Sequence, residues 1–316
     1  MKSRRAVTAS FVSASGGVGK TKLSLVLAYH LSKNKRKVLF IDLDPTAGAS
    51  LIVFSEDEYD DLVKKRKTLS DALEQCLVHK AIVKPDSVIV QAKVGDAIID
   101  FVPPGEELIS VIDELWKSSS AGQRFKKALE SFIPFADYDY IIIDNAPFFD
   151  PRYTALSLHI SDCIFIPLRP SLIDLKRTLR MISWLEDEME TVENGEKLRE
   201  NIYAVFNHVP TIRDQVEKRF VENFLQSKEG EKFSRPDCIR QYNTLLTYAS
   251  QLKSKGVKFM KSYVEVSSDI ERFPPPHGPS KKKEEKLFPA KANDYAEKAS
   301  QILERLLRNQ HTINII

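Results

Sequence analysis

Cysteine is scarce in this chain. Cys76, Cys163 and Cys238 lie far apart, and no Cys-x-x-Cys pair occurs. That argues against a disulfide framework or a zinc ribbon and fits a reducing, cytoplasmic compartment. Long apolar runs are missing too. No stretch approaches the ~18–20 residues that a membrane span needs. The start is basic (Lys2, Arg4, Arg5), but the apolar run after it is short and feeds straight into a glycine-rich turn, so it reads as a first strand and not a signal peptide. Neither sign of charge dominates: 47 basic residues face 44 acidic ones, and a net charge of +3 names no partner. Internal repeats and sharp breaks in composition are also absent. The 316 residues are therefore expected to form a single domain, 1–316, with 310–316 as a loose tail.

What is present is concentrated in a few stretches. Ala14-Ser15-Gly16-Gly17-Val18-Gly19-Lys20-Thr21 follows a β-branched apolar run (Val7, Phe11, Val12) and precedes a helical pattern (Leu23, Val26, Leu27, Leu31). Strand, glycine-rich turn, Lys-Thr and helix form the layout of a phosphate-binding loop. Glycines let backbone N–H groups turn toward phosphate oxygens, and the helix that starts at Lys20 adds the positive end of its dipole. Ser15, Gly16, Gly17, Val18, Gly19, Lys20, Thr21 and Lys22 are the expected nucleotide cradle. Lys20 is placed to reach the β- and γ-phosphates and Thr21 to hold Mg²⁺. The position where such loops usually open with glycine is Ala14.

Strands and helices alternate along the rest. Val38–Leu43, Ser87–Val90, Ala97–Val102, Tyr138–Asp144, Cys163–Pro167, Ile202–Asn207 and Val257–Val266 read as strands. Helices are expected over 106–116, 122–132, 173–190 and 293–308, with a helical, charged stretch from 211 to 256. The strands are short and apolar on both faces. The implied fold is α/β, a mainly parallel twisted sheet with helices on both faces.

In such a sheet ligands bind at the carboxyl ends of the strands. Asp42, Asp44 and Asp144 sit there. Asp144, after three isoleucines, fits the acid that binds Mg²⁺ through water. Asp44 is placed to orient or deprotonate an attacking water, and Asp42 to support the metal shell. The reaction these groups suit is in-line attack of water on a γ-phosphoryl group of ATP, with Lys20 and Asp44 as the catalytic side chains.

These residues resemble the ParA/MinD family of P-loop ATPases with a deviant Walker motif. The resemblance rests on Ser15–Thr21, Val38–Pro45 and Tyr138–Asp144 with Pro147. It continues through Asp162–Pro167, Asn207, Phe273–Gly278 and the closing helix with Tyr295. It covers nearly the whole chain and is closest to the compact ParA branch. It implies that Asn207 contacts adenine and that ATP-bound subunits form a homodimer. It also implies non-specific DNA binding, release by a centromere-binding ParB-like protein, and a nucleoid-associated location without a membrane. The family's signature lysine stands where this chain has Ser15, and a hydroxyl cannot replace a long cationic arm. Arg152 or Lys22 is expected to substitute. The expected DNA surface is Arg235, Arg240, Lys253, Lys255, Lys258 and Lys261, joined by Lys281–Lys283. Three other readings are a MinD-like membrane ATPase using the closing helix, an ATP-driven metal or cluster carrier, and a nucleotide-binding protein without hydrolysis.

Overall fold

The computed structural model describes residues 5–228, 233, 235–274 and 290–313, with side chains to residue 309. Eight strands form one sheet: β1 (Val7–Phe11), β2 (Val38–Leu43), β3 (Val90–Val94), β4 (Ala97–Val102), β5 (Tyr140–Asn145), β6 (Cys163–Leu168), β7 (Ile202–Val209) and β8 (Lys258–Glu265). Their order is β3-β4-β2-β5-β1-β6-β7-β8. Every pairing is parallel except the antiparallel β3–β4. The expected strand at Ser87–Val90 is a correction. Pro85–Ser87 is a single 3-10 turn, and the strand begins at Val90. The shift has a physical cause: Pro85 cannot donate to a ladder, whereas Val90–Val94 buries alternate residues beside β4 and turns back at Gly95.

Thirteen helices lie among the described residues. From the first crossover these are α1 (Lys20–Lys33), α2 (Ser50–Val53), α3 (Glu56–Lys64), α4 (Leu69–Leu77), α5 (Leu108–Trp116), α6 (Ala121–Phe132) and α7 (Pro151–Leu158). The remainder are α8 (Leu172–Glu188), α9 (Gly195–Arg199), α10 (Val216–Gln226), α11 (Pro236–Ser254), α12 (Ser268–Glu271) and α13 (Asn293–Ile313). The last helix runs through part of the stretch expected to be a loose tail, and 314–316 lie outside the described residues.

The period-2 alternation of strand side chains sorts the core into layers. Val38, Phe40, Tyr140, Ile142, Phe165 and Val205 pack on the face covered by α1 and α13. Leu39, Ile41, Ile141 and Ile143 pack on the other face under α4–α7. Ile164, Ile166, Ala204 and Phe206 join α8, α10 and α11. The same parity decides where the functional side chains point. Asp42 and Asp144 follow Phe40 and Ile142, and Asn207 follows Val205, so all three belong to the α1 face. Asp42 and Asp144 are also direct register partners on neighbouring strands.

The closing helix is fully used by this packing. Tyr295, Ala296, Ala299, Leu303, Leu306 and Leu307 are buried in the α1-side core, and Tyr295 donates to the Leu23 carbonyl at 3.2 Å. The apolar face over 295–307 is therefore spent on the core. No helix among the described residues is long and apolar enough to cross a membrane.

Candidate functional site

The phosphate loop leaves the end of β1, the fifth strand of eight, and turns into α1. Gly17 and Gly19 have φ of 68° and 82°, the left-handed region that favours glycine. Gly19 is constrained twice. A Cβ there would lie 2.2 Å from Asn207 Nδ2. Gly19 also stands at the N-cap of α1, where no side chain caps the helix and no acidic residue occupies the first turn. Uncapped N–H groups and the dipole leave this end electropositive, which suits an anion.

Lys20 is buried at the base of the loop, and its Nζ donates to Asp144 Oδ1 at 2.7 Å. The Thr21 hydroxyl lies beside the same carboxylate. Burial pushes the Asp144 carboxyl up, against the pull of Lys20 and Thr21. Asp42 is fully buried. Its Oδ2 accepts from Ser50 N and Ser50 Oγ, and its Oδ1 from Asp44 N. Burial, and then the neighbouring Asp144, pushes Asp42 up to about 7 despite those bonds. In this structure Asp42 shapes the turn that presents Asp44 and fixes the start of α2. Asp44 is buried, and its Oδ1 accepts from Thr46 N and Oγ1.

Four buried polar atoms around the loop lack a hydrogen-bond partner: Ser15 Oγ, Asp144 Oδ2, Asn145 Oδ1 and Asn207 Oδ1. Each orphan of this kind costs about 1–3 kcal/mol, so their grouping marks a place that a ligand completes. A hard oxygen-seeking cation fits the free Asp144 oxygen beside Thr21. Asn207 Nδ2 donates to the Val18 carbonyl at 2.7 Å. That bond fixes the amide, so the outward atom is an acceptor.

Several expectations are redirected. Lys22 does not reach into the loop: its Nζ donates to the Phe273 carbonyl at 2.8 Å, and burial lowers its pKa against the opposing pull of Glu271. Arg152 is clamped by Asp150, with Nε–Oδ1 at 2.8 Å, and also bonds Asp113. Neither expected substitute for the signature lysine is a free arm. The six basic residues of the expected DNA surface do not form one patch. Arg235 and Pro236 start α11, and Lys253 and Lys255 end it, so they lie roughly 27 Å apart at ~1.5 Å per residue. Lys255 pairs with Glu186, and Lys258 donates to the Glu200 carbonyl. Exposed Arg235 and Arg240 stay on the phosphate-loop side, because α11 feeds β8 and so begins at the carboxyl ends of the strands; Lys261 is exposed on β8. Lys281–Lys283 lie outside the described residues.

The sequence reading missed exposed Lys176, Arg177 and Arg180 on α8, which packs beside α11. It also missed exposed Phe149, whose ring lies 3.6 Å from where a Gly16 Cβ would be. Three positive residues within the five positions 176–180 of one helix were the available signal for the first. Nothing near Phe149 in sequence distinguishes it. Among the described residues no group of three or more His, Cys, Asp and Glu is arranged to hold a metal, and Cys163 is buried.

Comparison with known proteins agrees with this geometry. A family model described as "AAA domain" matches residues 7–195. The sporulation initiation inhibitor Soj of Bacillus subtilis is 28% identical over 53% of this chain and 62% of its own length. The chromosome partitioning protein ParA of Myxococcus xanthus is 23% identical over 84% of this chain and 88% of its own. A plasmid partition protein of Borrelia burgdorferi B31, solved with AMPPNP, shares the fold with a TM-score of 0.55 at 20% identity, covering 78% of this chain and 99% of that one. With a mainly parallel sheet, an uncapped glycine-rich loop and Asp42 and Asp144 in register beside it, the chain belongs to the ParA/MinD family of P-loop ATPases.

Proposed function

We propose that this chain is an ATP-dependent DNA-partition ATPase. It binds ATP with Mg²⁺, pairs face to face with a second copy, holds DNA without reading its sequence, and lets go when a centromere-binding partner stimulates hydrolysis. The observation that carries the reading is the Lys20–Asp144 pair at the mouth of an uncapped helix, with the second Asp144 oxygen unpartnered.

The chain's own groups divide the work. Lys20 exchanges Asp144 for the terminal phosphates, which frees that carboxylate. Thr21 and Asp144 would hold Mg²⁺, whose charge, when bound, stabilises the phosphoryl oxygens. Asp44, positioned by Asp42 and Thr46, orients the water for in-line attack. The acceptor of Asn207 suits the 6-amino group of adenine and disfavours the 6-carbonyl of guanine. Pairing is supported by exposed Phe149, Leu172, Ile173 and Ile212, which follow the carboxyl ends of β5, β6 and β7 and so rim the loop. DNA contact is supported by exposed Arg235 and Arg240, with Lys176, Arg177 and Arg180 on the adjacent helix.

The test is a mobility shift on non-specific duplex with a non-hydrolysable ATP analogue, with ADP and without nucleotide, at two salt concentrations. Binding is expected only with the ATP analogue, falling with a log–log slope of roughly −0.9 per phosphate neutralised. Binding that ignores nucleotide, or no binding at all, overturns the partition reading and leaves ATP hydrolysis to be measured separately.

A further inference from the structure

The slot of the missing signature lysine has a neighbour that the linear sequence conceals. Phe11 pairs with Phe165 in the β1–β6 register. The loop that carries Ser15 leaves β1, and Arg169 directly follows β6, at the same end of these two neighbouring strands. The buried Ser15 hydroxyl makes no close hydrogen bond, yet it lies near enough to Asp174 to act on that carboxyl. Asp174, itself buried, accepts from Arg169 Nε at 2.6 Å and from Nη2 at 3.5 Å. Burial pushes the Asp174 carboxyl up, but Arg169 and Ser15 outweigh it and hold it down. On the other side, Arg169 faces His208, whose Nε2 would be 3.5 Å from a Cβ on Gly19. Ser15, Asp174, Arg169, His208 and Gly19 thus form a chain of neighbours around the loop.

This is a built arrangement. An arginine with one edge locked on a buried carboxylate loses little freedom, and its Nη1 donors remain for a second anion. The side chain is 41% exposed, and it borders an open cleft of about 510 Å³ with Ser171, His208 and Pro210. Leu172 and Ile173, on the apolar rim, follow it directly.

We propose that Arg169 is the cationic arm that replaces the signature lysine, presented from the Ser15 position by Asp174 and directed at the terminal phosphates of ATP in the second subunit. The assignment rests on the proposed pairing of ATP-bound copies. Arg169 is, on this view, a phosphate-binding residue, and Asp174 a positioning residue.

The experiment compares wild type, Arg169→Ala, Arg169→Lys and the double variant Arg169→Ala/Ser15→Lys. Mass in solution is measured with a non-hydrolysable ATP analogue and with ADP. ADP affinity, set by Lys20 and the loop of the same subunit, reports whether each variant is folded. Arg169→Ala is expected to keep ADP affinity within twofold, to weaken analogue-dependent dimerisation at least tenfold and to lower hydrolysis to a similar degree. Restoring a lysine at position 15 is expected to recover both. Mixing Arg169→Ala with Asp44→Ala, which keeps Lys20 and the loop for binding ATP, is expected to restore hydrolysis, because each mixed dimer then holds one loop with its own Asp44 facing one intact arginine. Analogue-dependent dimerisation of Arg169→Ala at wild-type strength overturns the assignment alone. If wild type does not dimerise with the analogue, the assignment falls together with the pairing reading. If the single variant fails and mixing gives no rescue, the reach across subunits is overturned.

Discussion

Two lysines are buried among the described residues, and they are buried differently. Lys20 sits at the carboxyl end of the sheet with Asp144 for a partner, and that partner keeps one oxygen with no hydrogen bond. Lys218, on α10 near the sheet edge, donates to Glu265 at 2.5 Å and to Tyr263 Oη at 2.7 Å. It stands 3.5 Å from Glu222 and lies over the Tyr263 ring. Glu265 is held in turn by Lys291. Burial pulls the Lys218 pKa down, but Glu265 and Tyr263 more than compensate and its net direction is up. Burial and pairing are common to both sites. What separates them is completion: one network satisfies itself, and the other waits for a phosphate.

The largest effect that could break this contrast comes from Lys20→Ala. Hydrolysis should fall by about 10²–10³ or more, as when a main electrostatic group of a transition state is removed, and the ATP-induced rise in Tm should vanish. Retained ATP protection in a thermal melt would make Lys20 another structural lysine. Gly19→Ala comes next. Its Cβ would meet Asn207 at 2.2 Å with φ at 82°, a cost of about 2–3 kcal/mol. A melt without nucleotide should therefore show a Tm lower by several degrees. Lys218→Ala is expected to cost about 2 kcal/mol, less than a fully buried break because Glu265 is partly exposed and keeps Lys291. ATP affinity measured by calorimetry should not move, and Lys218→Met should recover much of the stability. A drop in ATP affinity with Lys218→Ala would couple the two sites and erase the distinction. The smallest effect belongs to Asn207→Ala. Losing one acceptor for adenine, worth about 1 kcal/mol, should shrink the preference for ATP over GTP by roughly fivefold to tenfold in competition binding.

Legibility in the sequence followed the same divide. The loop, the strands and the acids at their ends are local facts: glycine at the left-handed positions, β-branched runs, a carboxylate where each run stops. They could be read from short windows. Parity along the strands even carried Asp42, Asp144 and Asn207 to one face. Features set by assembly were hidden. Arg169-Pro170-Ser171 reads as an ordinary loop after a strand, and only the fold, through Asp174, brings it near Ser15. The basic residues of 235–261 look clustered in line, but a 19-residue helix separates Arg235 from Lys253 and Lys255 at its two ends. The edge strand β3 was misplaced by a few residues because half of its side chains face solvent and the apolar signal is diluted.

The packing of the last described helix on the first has a consequence for synthesis. The apolar face of α1, which starts at the phosphate loop, is covered by residues 295–307, and Leu23 in its first turns accepts from Tyr295. A ribosome makes those residues more than 270 positions after Lys20. Until they emerge, the helix behind the loop has one bare side. The helix behind the loop therefore gains its full packing only once a segment far downstream in sequence has folded onto it.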